Sequence, residues 1–180
     1  MTIARLEPCH AAEYQRIMLE AYALCPGAFT SSVAERAKLP LSWWEARLRD
    51  GPLPPELVLG AFTQDGLAGV AGLSFDTRER LRHKVTLFGM YVPSHFRQRG
   101  VGKLLVRSAL EHARARPGVK LVKLTVTQGN LAAQALYEQC GFKGFGLEPY
   151  AISLDTGYAA KLHMWCDLGI TNDPAATATL

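Results

Sequence analysis

The run Gly89-Met90-Tyr91-Val92-Pro93-Ser94-His95-Phe96-Arg97-Gln98-Arg99-Gly100-Val101-Gly102-Lys103-Leu104-Leu105 carries three local signals in succession. It opens on the end of Val85-Thr86-Leu87-Phe88-Gly89-Met90-Tyr91-Val92, apolar on both faces of an extended chain, as expected of a central strand covered on each side. Pro93 to Arg99 breaks that pattern. From Gly100 to about Ala115 apolar residues return at helical spacing, with Val101, Leu104, Leu105, Ala109 and Ala113 expected on an inward stripe. Lys103, Arg107, Glu111 and Arg114 fall on the opposite, water-facing side. Pro117-Gly118 stops the helix, and Val119 to Thr127 is strand-like again. Strand, helix, strand with short links is a βαβ crossover, so the two strands should lie parallel with a right-handed connection.

Working outward, residues 2–7 predict a short strand closed by Pro8, followed by a helix from Cys9 to about Leu24 with Tyr14, Ile17, Met18, Ala21 and Tyr22 on one face. Pro26-Gly27 ends it. A second helical region is broken by Pro40 and resumes until Gly51-Pro52, and the irregular segment around Phe29 is either a substrate-facing loop or a plain connection. Residues 57–63 and 67–75 are strand-like, joined by the hairpin signal Gln64-Asp65-Gly66. After the crossover, Asn130 to Cys140 predicts a short helix ended by Gly141. Residues 142–145, 151–154 and 158–168 complete the strands, the last two joined through Asp155-Thr156-Gly157. The fold class is α+β. Residues 1–170 form one domain, and the small, polar 171–180 segment is expected to be a flexible tail.

The bulk numbers fit a globular protein: 180 residues, 48% hydrophobic, 20% charged and a formal charge of +4. The positive charges are dispersed, which argues against a nucleic-acid footprint and suits a small anionic ligand. Four cysteines lack any paired spacing with each other or with histidine, pointing to free thiols, no metal, and a reducing compartment, with the cytoplasm as the expected location. No stretch reaches the roughly 18 apolar residues of a membrane span.

Two close glycines between a buried strand and a helix let backbone N–H groups and the helix dipole meet an anion. Arg97, Arg99 and Lys103 add charge suited to a pyrophosphate. Better-known phosphate loops do not fit. A Walker A loop would need Gly at Arg97 and Ser or Thr at Leu104, and a dinucleotide fingerprint would need Gly at Leu105. The pattern present is R/Q-x-x-G-x-G/A, as Arg97-Gln98-Arg99-Gly100-Val101-Gly102. The two glycines also admit a packing role. A second cluster lies downstream, where Asn130, Ala133 and Tyr137 share one helix face. Asn130 is equally readable as an N-cap and Tyr137 as core. Both helix N-termini should lie at the carboxyl edge of neighbouring parallel strands, where open α/β sheets bind ligands.

With these residues the chain resembles the GNAT superfamily of acyl-CoA-dependent N-acyltransferases. The likeness is sharpest from Gly89 to Leu105 and from Asn130 through Tyr137 to Phe142, and covers nearly the whole chain. It implies a central, mostly antiparallel sheet with one parallel pair, flanked by helices, and a frequent homodimer. It implies acetyl-CoA as cosubstrate, its pyrophosphate on the loop Arg97, Gln98, Arg99, Gly100, Val101, Gly102 and Lys103. The strand edge Met90, Tyr91 and Val92 and, from the other side, Asn130 and Ala133 would hold the pantetheine arm, and Tyr137 would be the general acid. Transfer to an amine acceptor needs a neutral amine, a stabilised oxyanion and a protonated leaving thiol. Tyr137 suits the last, and a backbone N–H near Tyr91 the second. Neither needs a metal or covalent enzyme intermediate, so direct attack in a ternary complex is expected. The base is unassigned: the strand offers Thr86 where some members have Glu and no acid at all, His83 is a candidate, and Glu148 could attract an ammonium substrate at the acceptor site. The competing reading is a domain that binds acyl-CoA without turning it over.

Overall fold

The computed structural model describes residues 1–169, so the tail expected at 171–180 lies outside the described residues. The chain runs β1 (Thr2–Arg5), α1 (Ala11–Leu24), α2 (Val33–Ala37), α3 (Leu41–Arg47), β2 (Glu56–Thr63), β3 (Gly66–Phe75) and β4 (Lys84–Tyr91). It continues through α4 (Val101–Ala115), β5 (Leu121–Thr127), α5 (Leu131–Gln139), β6 (Lys143–Leu154) and β7 (Gly157–Asp167). The seven strands form one sheet in the order β1-β2-β3-β4-β5-β7-β6. Every neighbouring pair is antiparallel except β4 and β5, which are parallel as the crossover requires. This is the mixed α+β architecture expected from the sequence.

The pleat divides the hydrophobic residues between two cores. Leu59, Leu73, Leu87, Leu124 and Met164 pack with α4 and Tyr137 on one face. Val58, Val70 and Tyr91 pack with Tyr14, Met18 and Trp44 of α1 and α3 on the other. In β4 the alternation is shifted by one residue. Val70 pairs with Tyr91 and Gly72 with Phe88, so β4 spends one more residue than β3 over that interval. Gly89 takes up the bulge at φ +59°, in the left-handed region that favours glycine. Past the bulge Met90 packs on the α4–α5 core and Tyr91 on the α1–α3 core, the reverse of an unbroken strand.

Two elements differ from expectation. Leu104 is not on the inward stripe of α4: it is 43% exposed, and Val106 and Leu110 are buried with Val101, Leu105, Ala109 and Ala113. At 100° per residue the buried arc is centred near Gly102, which puts Leu104 on the far side. The segments 142–145 and 151–154 are not two strands but parts of β6, paired along its length with β7 through register shifts at Gly144/Gly146 and Glu148/Ile152. Pro149 hid that continuity in the sequence. It is tolerated because β6 is an edge strand, where a missing N–H breaks no inner ladder.

Candidate active site

β4 and β5 are hydrogen-bonded only at their start, Lys84–Thr86 against Leu121–Lys123. Beyond that β4 stays with β3, while β5 stays with β7 as far as Thr127. The parallel strands therefore splay into a wedge, and the β5-facing edge of Leu87–Met90 has no strand partner among the described residues. The wedge holds a cavity of about 300 Å³ lined from both faces of the sheet.

From the α4–α5 face the lining residues are Met90, Asn130, Ala133 and Tyr137. Asn130 is the N-cap of α5, its side-chain oxygen accepting from the Ala133 N–H at 3.2 Å. The cap reading therefore holds, and the residue still borders the cavity. Tyr137 is 9% exposed, its ring edge-on to Phe142 at 5.8 Å and its hydroxyl 3.5 Å from Met90 Sδ. That contact exists because the bulge at Gly89 turns Met90 to this face. Burial pushes the Tyr137 phenol up to about 12, so it keeps its proton.

The opposite wall follows from the pleat of β5. Val122, Leu124 and Val126 belong to the α4–α5 core, so Lys123, Thr125 and Thr127 point the other way. Directly across on β7, His163 pairs with Thr125 and Lys161 with Thr127, and all five line the cavity. Lys161 is 4% exposed and donates to the Ala28 carbonyl at 3.0 Å, while the Thr127 hydroxyl donates to the Gly27 carbonyl. These two bonds clamp the segment carrying Phe29 and Thr30 over the wedge. Burial lowers the Lys161 pKa, with Glu148 acting in the opposite sense. His163 Nε2 lies 2.7 Å from Glu148 Oε2. A carboxylate accepts, so Nε2 is the donating nitrogen and Nδ1 is the one left free of Glu148.

The glycine loop divides its labour differently from a simple phosphate cradle. Gly100 is the N-cap of α4 at φ +78°, offers no side-chain cap, and has open space where a Cβ would stand. The first N–H groups of α4, from Val101 to Lys103, thus start a helix whose positive end is accessible. Gly102 is a packing residue: a Cβ there would stand 3.1 Å from both Leu136 Cδ2 and Met90 Cε. Val101 turns its side chain into the core. Arg97 folds back, its Nε donating to the Val92 carbonyl at 2.9 Å, and Gln98 sits at φ +61°. Arg99 lies over the Phe96 ring at 5.9 Å. Tyr91 points its ring to the α1 side, donating to Glu20 Oε1 at 3.0 Å. Burial and Glu20 hold that phenol at about 12.

His83 sits at the joined end of the parallel pair, its carbonyl accepting from the Lys120 and Leu121 N–H groups, and does not line the cavity. It is removed as a base candidate. Glu148 lies beside the site, but through His163. Sequence reasoning missed His163 and Lys161, because only the β5–β7 register puts them at the wedge. Their alternation along the last strand was the one signal available.

The chain matches the model of the Acetyltransferase (GNAT) family over residues 16–142 and belongs to that family, whose cosubstrate is acetyl-CoA. Human N-acetyltransferase 8 is 34% identical over 87 residues, a match spanning 48% of this chain and 38% of that protein's length. An acetyltransferase of the GNAT family from Streptococcus pneumoniae superimposes with a TM-score of 0.80 at 26% identity, covering 92% of this chain and 98% of its own. yncA of Salmonella typhimurium, solved with its cofactor acetyl-CoA, has the same fold at a TM-score of 0.77 and 22% identity, covering 98% of both chains.

Proposed function

We propose that this protein transfers an acetyl group from acetyl-CoA to a primary amine by direct attack in a ternary complex. The observation that carries the reading is the wedge between β4 and β5, bordered by a buried, protonated Tyr137 on one face and by His163 on the other. The residues present fit the cosubstrate: the accessible N-terminus of α4 suits a pyrophosphate, and the unpaired edge of β4 suits an amide-bearing arm.

Bound acetyl-CoA supplies an activated acyl carbonyl and a thiol leaving group. The backbone from Arg99 to Lys103 holds the pyrophosphate, with Arg97 and Gln98 shaping the turn before it. The unpaired edge ending at Met90, together with Tyr91 and Val92 beyond it, hydrogen-bonds the arm, and Asn130 and Ala133 border it from α5. His163 Nδ1 takes a proton from the attacking amine, and Glu148 holds the ring by its other nitrogen. The Tyr137 hydroxyl gives a proton to the departing sulfur. No cysteine lines the cavity, which supports direct transfer over a covalent enzyme intermediate.

Calorimetric titration of acetyl-CoA and of free CoA tests the reading, with a variant carrying Arg99→Glu and Lys103→Glu as control. Micromolar binding is expected, weakened about tenfold or more by the charge reversals. A thiol-release assay over amine acceptors should then give intersecting double-reciprocal lines. Absence of acetyl-CoA binding to the unaltered protein overturns the proposal. Tight binding with no thiol release for any amine would leave a binding domain instead.

A further inference from the structure

A second cavity, about 120 Å³, lies on the α1–α3 face of the sheet. It meets the wedge at a shared boundary of Phe29, Thr30, Phe88 and Gly89. Apart from Met18 and Ser31, its remaining walls are aromatic and cationic: Tyr14 and Tyr22 from α1, Arg36 from α2, and Trp43, Trp44 and Arg47 from α3.

Three features of this cavity lack an internal explanation. Two guanidinium groups are gathered on one indole, Arg36 at 4.7 Å and Arg47 at 4.8 Å from the Trp43 ring centre. Two cations sharing one ring repel each other unless the ring face or a bound anion offsets their charge. Arg47 has an ion pair with Glu56 at 2.9 Å, but the side-chain hydrogen bond of Arg36 goes to the neutral Ser31 hydroxyl at 2.8 Å. Among the described residues no carboxylate is ion-paired with Arg36. Finally, three buried side-chain donors among the described residues have no acceptor: Arg36 Nε, Arg47 Nε and Trp44 Nε1. All three belong to residues lining this one cavity, and Trp44 is 1% exposed. Buried donors without acceptors are rare in folded proteins, and a cluster of them calls for an acceptor from outside. The neighbouring phenols do not supply it as anions, because burial raises both Tyr14 and Tyr22 above the usual tyrosine range.

Building on the acetyl-transfer reading, we infer that the acceptor is a small zwitterionic amine, an amino acid in its simplest form. Its carboxylate lies against Arg36, Arg47 and Trp44, while its amine reaches across Phe29 and Gly89 into the wedge beside His163. Guanidinium and indole N–H groups together suit a planar oxyanion. The small volume and the rings of Tyr14, Tyr22, Trp43 and Phe88 suit a short apolar side chain and exclude a long polyamine, whose positive charge Arg36 also repels.

The test uses matched pairs: leucine against leucinamide and phenylalanine against phenethylamine, with spermidine as a cationic control. Each is assayed by thiol release with acetyl-CoA, and by thermal shift without it. The carboxylates are expected to be favoured at least tenfold in kcat/KM and to be the only members that raise Tm. Arg36→Gln should erase that preference, lowering the carboxylates to the level of their partners that lack one, with acetyl-CoA affinity unchanged as the check on folding. Arg36→Lys should restore part of it. Equal use of leucine and leucinamide, or a preference for spermidine, by protein that binds acetyl-CoA normally overturns the inference and leaves acetyl transfer standing. Failure to bind acetyl-CoA defeats the acetyl-transfer reading instead. In that case a leucine-specific thermal shift lost in Arg36→Gln still supports the carboxylate site, and its absence overturns it.

Discussion

Tyr137 and His163 approach the wedge from opposite faces of the sheet. Tyr137 rests on Met90 and Phe142 in a site that suppresses ionisation, so it is a proton donor throughout the neutral range. Replacing it with Phe keeps the ring packing and removes the proton. The expected result is a fall in kcat of about 10²-fold with acetyl-CoA affinity unchanged, read from thiol release and calorimetry on the same preparation. A loss of affinity equal to the loss of rate would make Tyr137 a core residue only. His163 should behave as the base. In His163→Gln the acidic limb of the pH–rate profile is expected to disappear, and Glu148→Gln, acting through the ring, should lower kcat less while keeping that limb. An unchanged acidic limb in His163→Gln would return the base to another group.

At the scale of elements, the site depends on two local irregularities, a helix cap and a bulge. Asn130 closes the first turn of α5 through the Ala133 N–H. Asn130→Ala should cost about 1 kcal/mol in urea unfolding, and Asn130→Ser should recover most of it. If Asn130 also touches the cosubstrate arm, Ser restores stability without restoring acetyl-CoA affinity; if both recover together, the residue is a cap alone. Gly89 holds the left-handed backbone that turns Met90 toward Tyr137 and Tyr91 toward Glu20. Its Cβ position is uncrowded, the nearest atom being Met18 Cε at 3.8 Å, so Gly89→Ala isolates backbone strain. A loss of about 1–2 kcal/mol is expected, measured by chemical unfolding. An unchanged midpoint would mean the bulge relaxes without cost.

Across the whole molecule, Tyr14, Tyr22, Tyr91 and Tyr137 all have their phenol pKa values raised by burial, Tyr91 and Tyr137 to about 12. A raised folded-state pKa means the unfolded chain gives up its protons first, near the ordinary tyrosine value of about 10. The stability these neutral phenols contribute is complete below that value and is lost as pH climbs toward 12. Urea midpoints should hold between pH 7 and 9 and fall steeply above 10, with Tyr137→Phe falling less. A midpoint flat through pH 11.5 would contradict it.

The run from Val85 to Leu105 was enough to place a covered strand, a glycine turn and a helix, because pleat, glycine spacing and helical period are local properties of the chain. The parallel pair and the α+β class followed, and so did the face shared by Asn130, Ala133 and Tyr137. What the sequence could not decide was everything set by register between distant strands. The division of β4 from β5 after Thr86, the placing of His163 opposite Thr125, and the reversal at Gly89 all depend on which residue pairs with which across the sheet. The same holds for Gly102, whose missing side chain serves the approach of Met90 and Leu136, and for Arg36 and Arg47, which α2 and α3 bring onto one indole. Local chemistry determined the elements and the glycine turn that opens α4. Only tertiary packing decided the far wall of the wedge, since Phe29 and His163 come from segments more than a hundred residues apart whose meeting leaves no periodic trace in the chain.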